Sequence, residues 1–423
     1  MNETDRGRVV VIGQGYVGLP VAMRAVDVGW DVIGIDVDPR RIESLRSGRS
    51  YVDDISDEQL SAAAASGRYR ATDDYAAAAG FDFAVITVPT PLKDGLPDLS
   101  FVEGSGRLLA PMITRRSTVI LESTTYPGTT QEVLVPLLEA GSGLAAGADF
   151  HVGYSPERID PGNTTWGFVQ TPKVVSGIDG PSLESVQGFY DTLVDTTVPV
   201  SSPREAELTK LLENTFRHVN IALVNELAVI ARELGVDVWE SIDAAATKPF
   251  GFMKFSPGPG VGGHCLPVDP SYLSWQVRNK LGRSFRFVEL ANDINDHMPD
   301  YVVQRLVLLL DSVRLPVKGA KILLAGLAYK RNTGDIREAP SLRLIELLAE
   351  HGAELSAADE HVEPHRWPAG VAKVELTATS IADADAVVLV TDHDDFDLGL
   401  LASAGVPVLD TRNRVSGTNV VAL

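Results

Sequence analysis

A chain of 423 residues is too long for one hydrophobic core, since single cores stop growing near about 250 to 300 residues, so two or three domains are expected. With 44% hydrophobic and 22% charged residues the composition is that of an ordinary globular protein, and no apolar run approaches the roughly 20 residues a membrane span requires. The 57 acidic against 37 basic side chains, a net charge of −20, argue against nucleic acid and anionic membrane as main partners, and a single cysteine rules out an internal disulfide, so a cytoplasmic location without signal peptide is expected.

Arg8 to Ile12 (RVVVI) has the unbroken apolar character of a buried parallel strand. Gly13-Gln14-Gly15-Tyr16-Val17-Gly18 follows at once and opens an amphipathic helix reaching about Val28. In such a strand, turn and helix the first glycine makes the turn, the second admits a pyrophosphate and the third lets helix and strand pack closely. The next strand, Asp31 to Ile35, ends in Asp36, about 20 residues on, where a carboxylate accepts from a ribose 2′-hydroxyl. That favours NAD over NADP, although Arg40 and Arg41 lie near enough to hold a 2′-phosphate. Strands at Phe81 to Thr87 and Ser117 to Leu121 run into Val88-Pro89-Thr90-Pro91 and into Glu122-Ser123-Thr124-Thr125-Tyr126-Pro127-Gly128. Ligands of open α/β sheets bind at the carboxyl ends of strands, so these hydroxyl-rich loops are expected to border the site. A further loop, His151 to Arg158, places Glu157 in the same kind of position.

From Pro203 to Leu234 apolar residues recur at helical spacing, which predicts a helix about 45 Å long that joins two domains and packs against a second subunit. Lys210 and Asn214, four apart, share a face of it. The segment Gly258 to Pro270 (GPGVGGHCLPVDP) carries the sole cysteine, Cys265, and reads as a loop whose glycines let a small polar guest approach the sulfur, with Asp269 four residues on for proton handling. After a linker at Ser312 to Gly319 the grammar of the first domain recurs: a strand at Lys321 to Ala325, a polar loop to Arg337, a helix at Ser341 to Glu350 and a strand ending at Asp359. This half lacks GxGxxG, and Lys330, Arg331 and Arg337 in its loop suit a phosphorylated ligand other than a dinucleotide. Strands at Ala386 to Thr391 and Val406 to Leu409 complete the second sheet. The expected fold class is α/β, with two Rossmann-like doubly wound domains joined by a helical central domain with a long spine helix, divided at residues 1–200, 201–311 and 312–423.

Over essentially its full length the chain resembles the nucleotide-sugar 6-dehydrogenases of the UDP-glucose/GDP-mannose dehydrogenase family. The likeness rests on GQGYVG at Gly13, VPTP at Val88, ESTTYPGTT at Glu122, SPER at Ser155, KLLEN at Lys210, the cysteine segment and GLAYKRNTGDIRE at Gly326. The resemblance implies a four-electron oxidation of a sugar C6 alcohol to a carboxylate with two NAD⁺ in succession, by an NAD domain, a helical dimerisation domain carrying the cysteine, and a C-terminal UDP-sugar domain. A homodimer is the implied assembly, and no metal is called for. By the same resemblance Cys265 forms the thiohemiacetal and thioester, Lys210 and Asn214 stabilise the oxyanion, Asp269 acts with a water as base, and Thr125 and Glu157 organise that water and the hydrolysis step. Gly13, Gly15, Tyr16, Val17, Gly18, Asp36, Arg41, Pro89, Thr90, Thr125 and Arg337 fall at cofactor positions. Glu157, Arg158, Lys210, Asn214, Arg217, Phe255, Gly260, Gly262, Lys330 and Arg412 fall at substrate positions. His264 occupies a variable slot and is taken as a bystander.

Where many UDP-glucose enzymes of the family have Lys-Ser-Thr, this chain has Ser123-Thr124-Thr125, and Val268 replaces a lysine before the site aspartate. Lys248-Pro249-Phe250-Gly251-Phe252 stands in place of their Arg-Ile-Gly. These forms resemble the branch acting on UDP-N-acetylhexosamines, which makes UDP-N-acetylglucosamine or its mannosamine epimer the expected substrate, with UDP-glucose the alternative. A two-electron hydroxyacid dehydrogenase would need neither Cys265 nor a second α/β domain. A non-catalytic NAD-binding sensor would have no reason to keep Lys210, Asn214 and Asp269.

Overall fold

The structure, a computed structural model, describes residues 6–52, 54–93, 95–159, 165–263 and 265–423, without the side chain of Cys265; His264 lies outside the described residues. Two compact units are present, Met1–Glu213 and Asn214–Leu423, and the helix Pro203–Glu233, 31 residues long, runs through the point of division.

In the first unit β1 (Arg8–Ile12), β2 (Asp31–Ile35), β3 (Tyr69–Thr72), β4 (Phe83–Ile86), β5 (Thr118–Leu121), β6 (His151–Tyr154), β7 (Lys173–Gly177) and β8 (Thr197–Pro199) form one sheet in the order β8-β7-β6-β5-β4-β1-β2-β3. All neighbours are parallel except β6 and β7. Both faces are covered by apolar clusters, one around Val9, Leu19 and Phe189 and one around Val10, Ile86 and Leu121, which is why the strands read as apolar runs rather than alternating. The order reverses between β1 and β4, the switch point where doubly wound sheets bind ligands.

His151–Tyr154, expected as part of a loop, is a buried strand. It is short, carries His and Gly, and lies between two neighbours, so neither alternation nor β-branching marks it. A Cβ on Gly153 would meet the Ser176 carbonyl oxygen at 2.2 Å, so the glycine permits the close approach to β7.

The second unit carries β9 (Lys321–Ala325), β10 (Glu354–Ala358), β11 (Ala372–Lys373), β12 (Ala386–Leu389), β13 (Val408–Asp410) and β14 (Val420–Ala422), all parallel, in the order β11-β10-β9-β12-β13-β14. Six strands of the first sheet, β3-β2-β1-β4-β5-β6, have the order and direction of the whole second sheet, and the two share their first turn. In one, the Gly13 amide donates to the Ile35 carbonyl at 2.7 Å and the Gln14 amide to Asp36 Oδ2 at 2.8 Å. In the other, the Gly326 amide donates to the Ala358 carbonyl at 2.9 Å and the Leu327 amide to Asp359 Oδ2 at 2.7 Å. Before this sheet the unit holds the helices Val238–Ala246, Cys265–Leu281, Arg286–Asp296 and Met298–Ser312.

The cysteine segment is a loop only as far as Gly263, and a helix opens at Cys265, where a loop through Pro270 was expected. Pro267 falls in its first turn, where the missing amide has no intrahelical partner to lose. Pro270 lies inside the helix.

Candidate active site

The turn after β1 is built to receive a phosphate. Gly13 has φ +91° and a Cβ there would strike the Thr87 carbonyl oxygen at 2.7 Å, while one on Gly18 would fall 1.8 Å from the Gly13 carbonyl oxygen. Gly15 differs: the nearest atom to a Cβ there is Arg41 Nη1 at 3.9 Å, so its face is open. The helix Gly18–Asp27 that follows has no side-chain cap on its N-terminus, where the positive end of the helix dipole favours an anion. Tyr16 beside it is 40% exposed, and Val17 precedes the first helical residue. Asp36 is buried, its Oδ2 accepting from the Gln14 amide and Arg41 at 3.2 Å and its Oδ1 from the Asp38 amide at 2.9 Å. Arg40 turns instead to Asp38 at 2.9 Å. Glycine turn, open Gly15 face, uncapped helix and terminal carboxylate together fit a dinucleotide, and with both arginines paired to carboxylates the cradle suits NAD. In the second sheet the corresponding carboxylate is filled: Asp359 Oδ2 faces His393 Nε2 at 3.0 Å and Oδ1 accepts the amides of His361 and Val362.

The two hydroxyl-rich loops are tied together, Ser123 donating to the Val88 carbonyl at 2.8 Å and Thr90 to the Thr124 carbonyl at 2.8 Å, while Pro89 is exposed. Thr125 is fully buried and its hydroxyl has no hydrogen-bond partner among the described residues. Glu207, on the long helix, accepts from the amides of Gly128 at 2.5 Å and Thr130 at 2.8 Å and from the Thr130 hydroxyl, which fastens the end of this loop to the helix that carries Lys210.

Glu157 is not a bare carboxylate. Its Oε1 accepts from the amides of Arg158 and Ile159, both at 2.7 Å, and its Oε2 lies 3.1 Å from Lys173 Nζ. Lys173, buried on β7, is shared with Glu122 at 3.0 Å, and the Tyr190 hydroxyl donates to the same Glu122 oxygen. Burial pushes the Glu122 carboxyl up. Burial acts on Glu157 in the same sense, but Lys173, the Ile159 amide and the more distant Lys210 outweigh it and hold Glu157 below the usual range. Arg158 points elsewhere, pairing with Glu213 at 2.6 Å and the Pro172 carbonyl at 2.6 Å. Lys210 is buried, with no hydrogen-bond or ion-pair partner of its own among the described residues.

In the second unit the Asn214 amide donates to Asp269 Oδ2 at 2.5 Å, and both are buried. Asp269 lies one turn into the helix that Cys265 begins. Arg217 is exposed, and Phe255 packs edge-on against Phe216 at 5.8 Å. What the glycines before Cys265 approach is the chain's own loop. A Cβ on Gly262 would lie 2.7 Å from both the Glu338 carbonyl oxygen and Tyr329 Cβ, and one on Gly260 3.2 Å from the Asn295 carbonyl oxygen. The Gly263 amide donates to the Arg337 carbonyl, and Asn225, itself held by Asn295, accepts from the Gly258 amide at 2.9 Å. Arg412 Nη1 stands 3.0 Å from where a Gly258 Cβ would be, its Nε donating to the Val390 carbonyl. Of the three cations in the polar loop, Arg337 folds back on Asp335 and Arg331 pairs with Asp392 and Asp394, while Lys330 is half-buried. Lys173, Tyr190, Glu207, Asn225 and Asn295 were not singled out in the sequence.

No helix among the described residues is long and apolar enough to cross a membrane. Sequence models of the UDP-glucose/GDP-mannose dehydrogenase family match the chain in three parts: the NAD binding domain over residues 7–194, the central domain over 204–297 and the UDP binding domain over 323–417. The chain is 35% identical over 390 residues to UDP-N-acetyl-D-mannosamine dehydrogenase of Pyrococcus horikoshii, covering 92% of this chain and 90% of that one. To UDP-N-acetyl-D-glucosamine 6-dehydrogenase of Salmonella typhi it is 32% identical, over 93% of this chain and 91% of the relative. Among solved structures, a UDP-glucose dehydrogenase from Pyrobaculum islandicum superposes with a TM-score of 0.88 at 27% identity, over 100% of this chain and 98% of that one.

Proposed function

The chain belongs to the UDP-glucose/GDP-mannose dehydrogenase family of NAD-dependent nucleotide-sugar dehydrogenases, and we propose that within it the protein oxidises the C6 hydroxyl of UDP-N-acetylmannosamine or UDP-N-acetylglucosamine to the uronic acid. The observation that supports this reading is the buried hydrogen bond from the Asn214 side-chain amide to Asp269, which lies one turn into the helix whose first residue is Cys265. NAD⁺, when bound in the Gly13–Asp36 cradle, supplies the hydride acceptor in each of two rounds. In the first round Asp269, through a water, takes the C6 hydroxyl proton as hydride departs, and Lys210 and Asn214 donate to the developing oxyanion. The Cys265 sulfur then adds to the aldehyde, giving a thiohemiacetal whose C6 hydride leaves in the second round. The resulting thioester is cleaved by water, with Thr125 helping to place it, so one sugar yields two NADH, one carboxylate and a free thiol. Cys265 at the start of a helix supports this, because the first turn favours a thiolate.

The Ser123-Thr124-Thr125 and Val268 forms favour a 2-acetamido sugar, with exposed Arg217 available to its substituent. UDP-glucose is the second reading, because the fold is shared over its full length with a UDP-glucose dehydrogenase as well as with a UDP-N-acetylmannosamine dehydrogenase and does not separate the two substrates. We further infer a homodimer, formed through the apolar outer face of the long helix. Steady-state rates with UDP- and GDP-sugars, products identified by mass, decide the substrate; a dominant rate on UDP-glucose overturns the acetamido assignment. Cys265→Ser is expected to bind NAD normally and stall after the aldehyde stage, and an undiminished yield of two NADH per sugar refutes the covalent route.

A further inference from the structure

Lys173 belongs to no motif that the function uses, yet it sits in a buried cluster of three charged side chains in the first unit. Its ammonium is nearly inaccessible and lies 3.0 Å from Glu122 and 3.1 Å from Glu157. The rings of Phe168 and Tyr190 lie over it at 5.6 and 5.2 Å. A buried charge of this kind is costly unless paired, and two carboxylates with one ammonium leave a net negative charge unless one holds a proton. The hydrogen bonds divide the roles. Glu157 receives two amides and the ammonium, leaving neither oxygen without a donor, whereas Glu122 Oε2 has no partner among the described residues. The titratable groups that act on Glu157 are Lys173, Glu122, Tyr190 and the more distant Lys210; the Arg158 guanidinium is turned to Glu213.

We propose that Lys173 is a positioning residue that keeps Glu157 ionised and fixed, while Glu122 is the member of the trio that carries the proton. The kinetic part of the inference rests on the dehydrogenase reading; the charge arrangement itself does not. Burial raising Glu122 and the donors lowering Glu157 agree with it.

Infrared difference spectra between wild type and single variants at pH 6.5, without substrate, test the arrangement directly. Glu157→Gln is expected to remove an ionised-carboxylate band and Glu122→Gln a protonated-carboxyl band; the reverse assignment overturns the proposal. Lys173→Met then tests the positioning role by the pH profile of kcat. Loss of the ammonium is expected to move the acid limb upward by about one pH unit or more, so that the loss is about tenfold on the acid side of the wild-type limb and fades as pH rises above the shifted one, with less than twofold change in NAD affinity. A uniform loss at every pH with an unmoved limb marks a merely structural lysine and overturns it. Should Lys173→Met not fold, the infrared result still decides the charge states. Should wild type yield no NADH from any UDP-sugar, the dehydrogenase reading fails while the infrared outcome stands on its own.

Discussion

At Gly262 a single methyl group has nowhere to go. The Glu338 carbonyl oxygen, Tyr329 Cβ and Pro340 Cδ lie 2.7, 2.7 and 3.0 Å from a Cβ built there, and two of these belong to backbone or ring atoms that cannot swing aside. Gly262→Ala is therefore expected to destabilise the second unit by about 1 to 3 kcal/mol, the usual cost of overpacking, and to expose residues 329–340 to hydrogen exchange. A urea midpoint and an exchange pattern equal to wild type would mean that the loop yields freely. The glycine density was plain in the sequence, but its meaning was not: composition announces a close approach without naming what approaches. Gly13, Gly15, Gly18 and Asp36 were readable because a phosphate cradle is written in consecutive residues at fixed offsets. Lys173 was unreadable, since its partners Glu122 and Glu157 are distant in the chain and a lysine opening KVVSG looks like a charge at a strand end.

The long helix does more than its periodicity suggests. Its Glu207 side chain reaches the Gly128–Thr130 backbone, so the loop bearing Thr125 and the turn of helix bearing Lys210 are set against each other by one buried carboxylate. Burial raises that carboxyl from 4.5 to about 7 against the pull of its three donors. The sign follows: the folded state holds the proton more tightly than the unfolded one, so the contribution is fully present below pH 4.5 and is lost as pH rises through about 7. Wild type is thus expected to lose roughly 3 kcal/mol between pH 4.5 and pH 8 from this group. Denaturation midpoints of wild type and Glu207→Gln across that range check it, the variant lacking this slope; identical slopes would show Glu207 ionised throughout. The helix itself was legible to within a residue at its end, because more than eight turns of repeating apolar positions leave little ambiguity. The strand His151–Tyr154 was not, because a short strand buried on both faces has no alternation to betray it.

For the whole molecule the unsettled surface is the outer face of that helix. While Ala222, Asn225 and Ala228 point inward, Phe216, Leu223, Leu227, Ile230 and Leu234 are between 43% and 73% exposed. Their positions repeat as two interleaved series seven apart, Phe216, Leu223 and Ile230 in one and Asn220, Leu227 and Leu234 in the other, which is the seam spacing of paired helices. A row of this length left in water invites association, and a chain of net charge −20 meets a second copy most easily where the contact is uncharged. Asn220, the one polar member, has its amide donating to the Phe216 carbonyl, so it adds no unpaired donor to the seam. Polar residues at such positions fix register more than they add affinity. Replacing Leu223 and Leu227 together by Glu puts four like charges into a two-copy seam without touching the inward face. Sedimentation equilibrium at micromolar concentration is expected to give a dimer for wild type and a monomer for the double variant, with NAD affinity retained in both. A wild-type monomer at tens of micromolar, or a double variant that still dimerises, would move the interface off this helix.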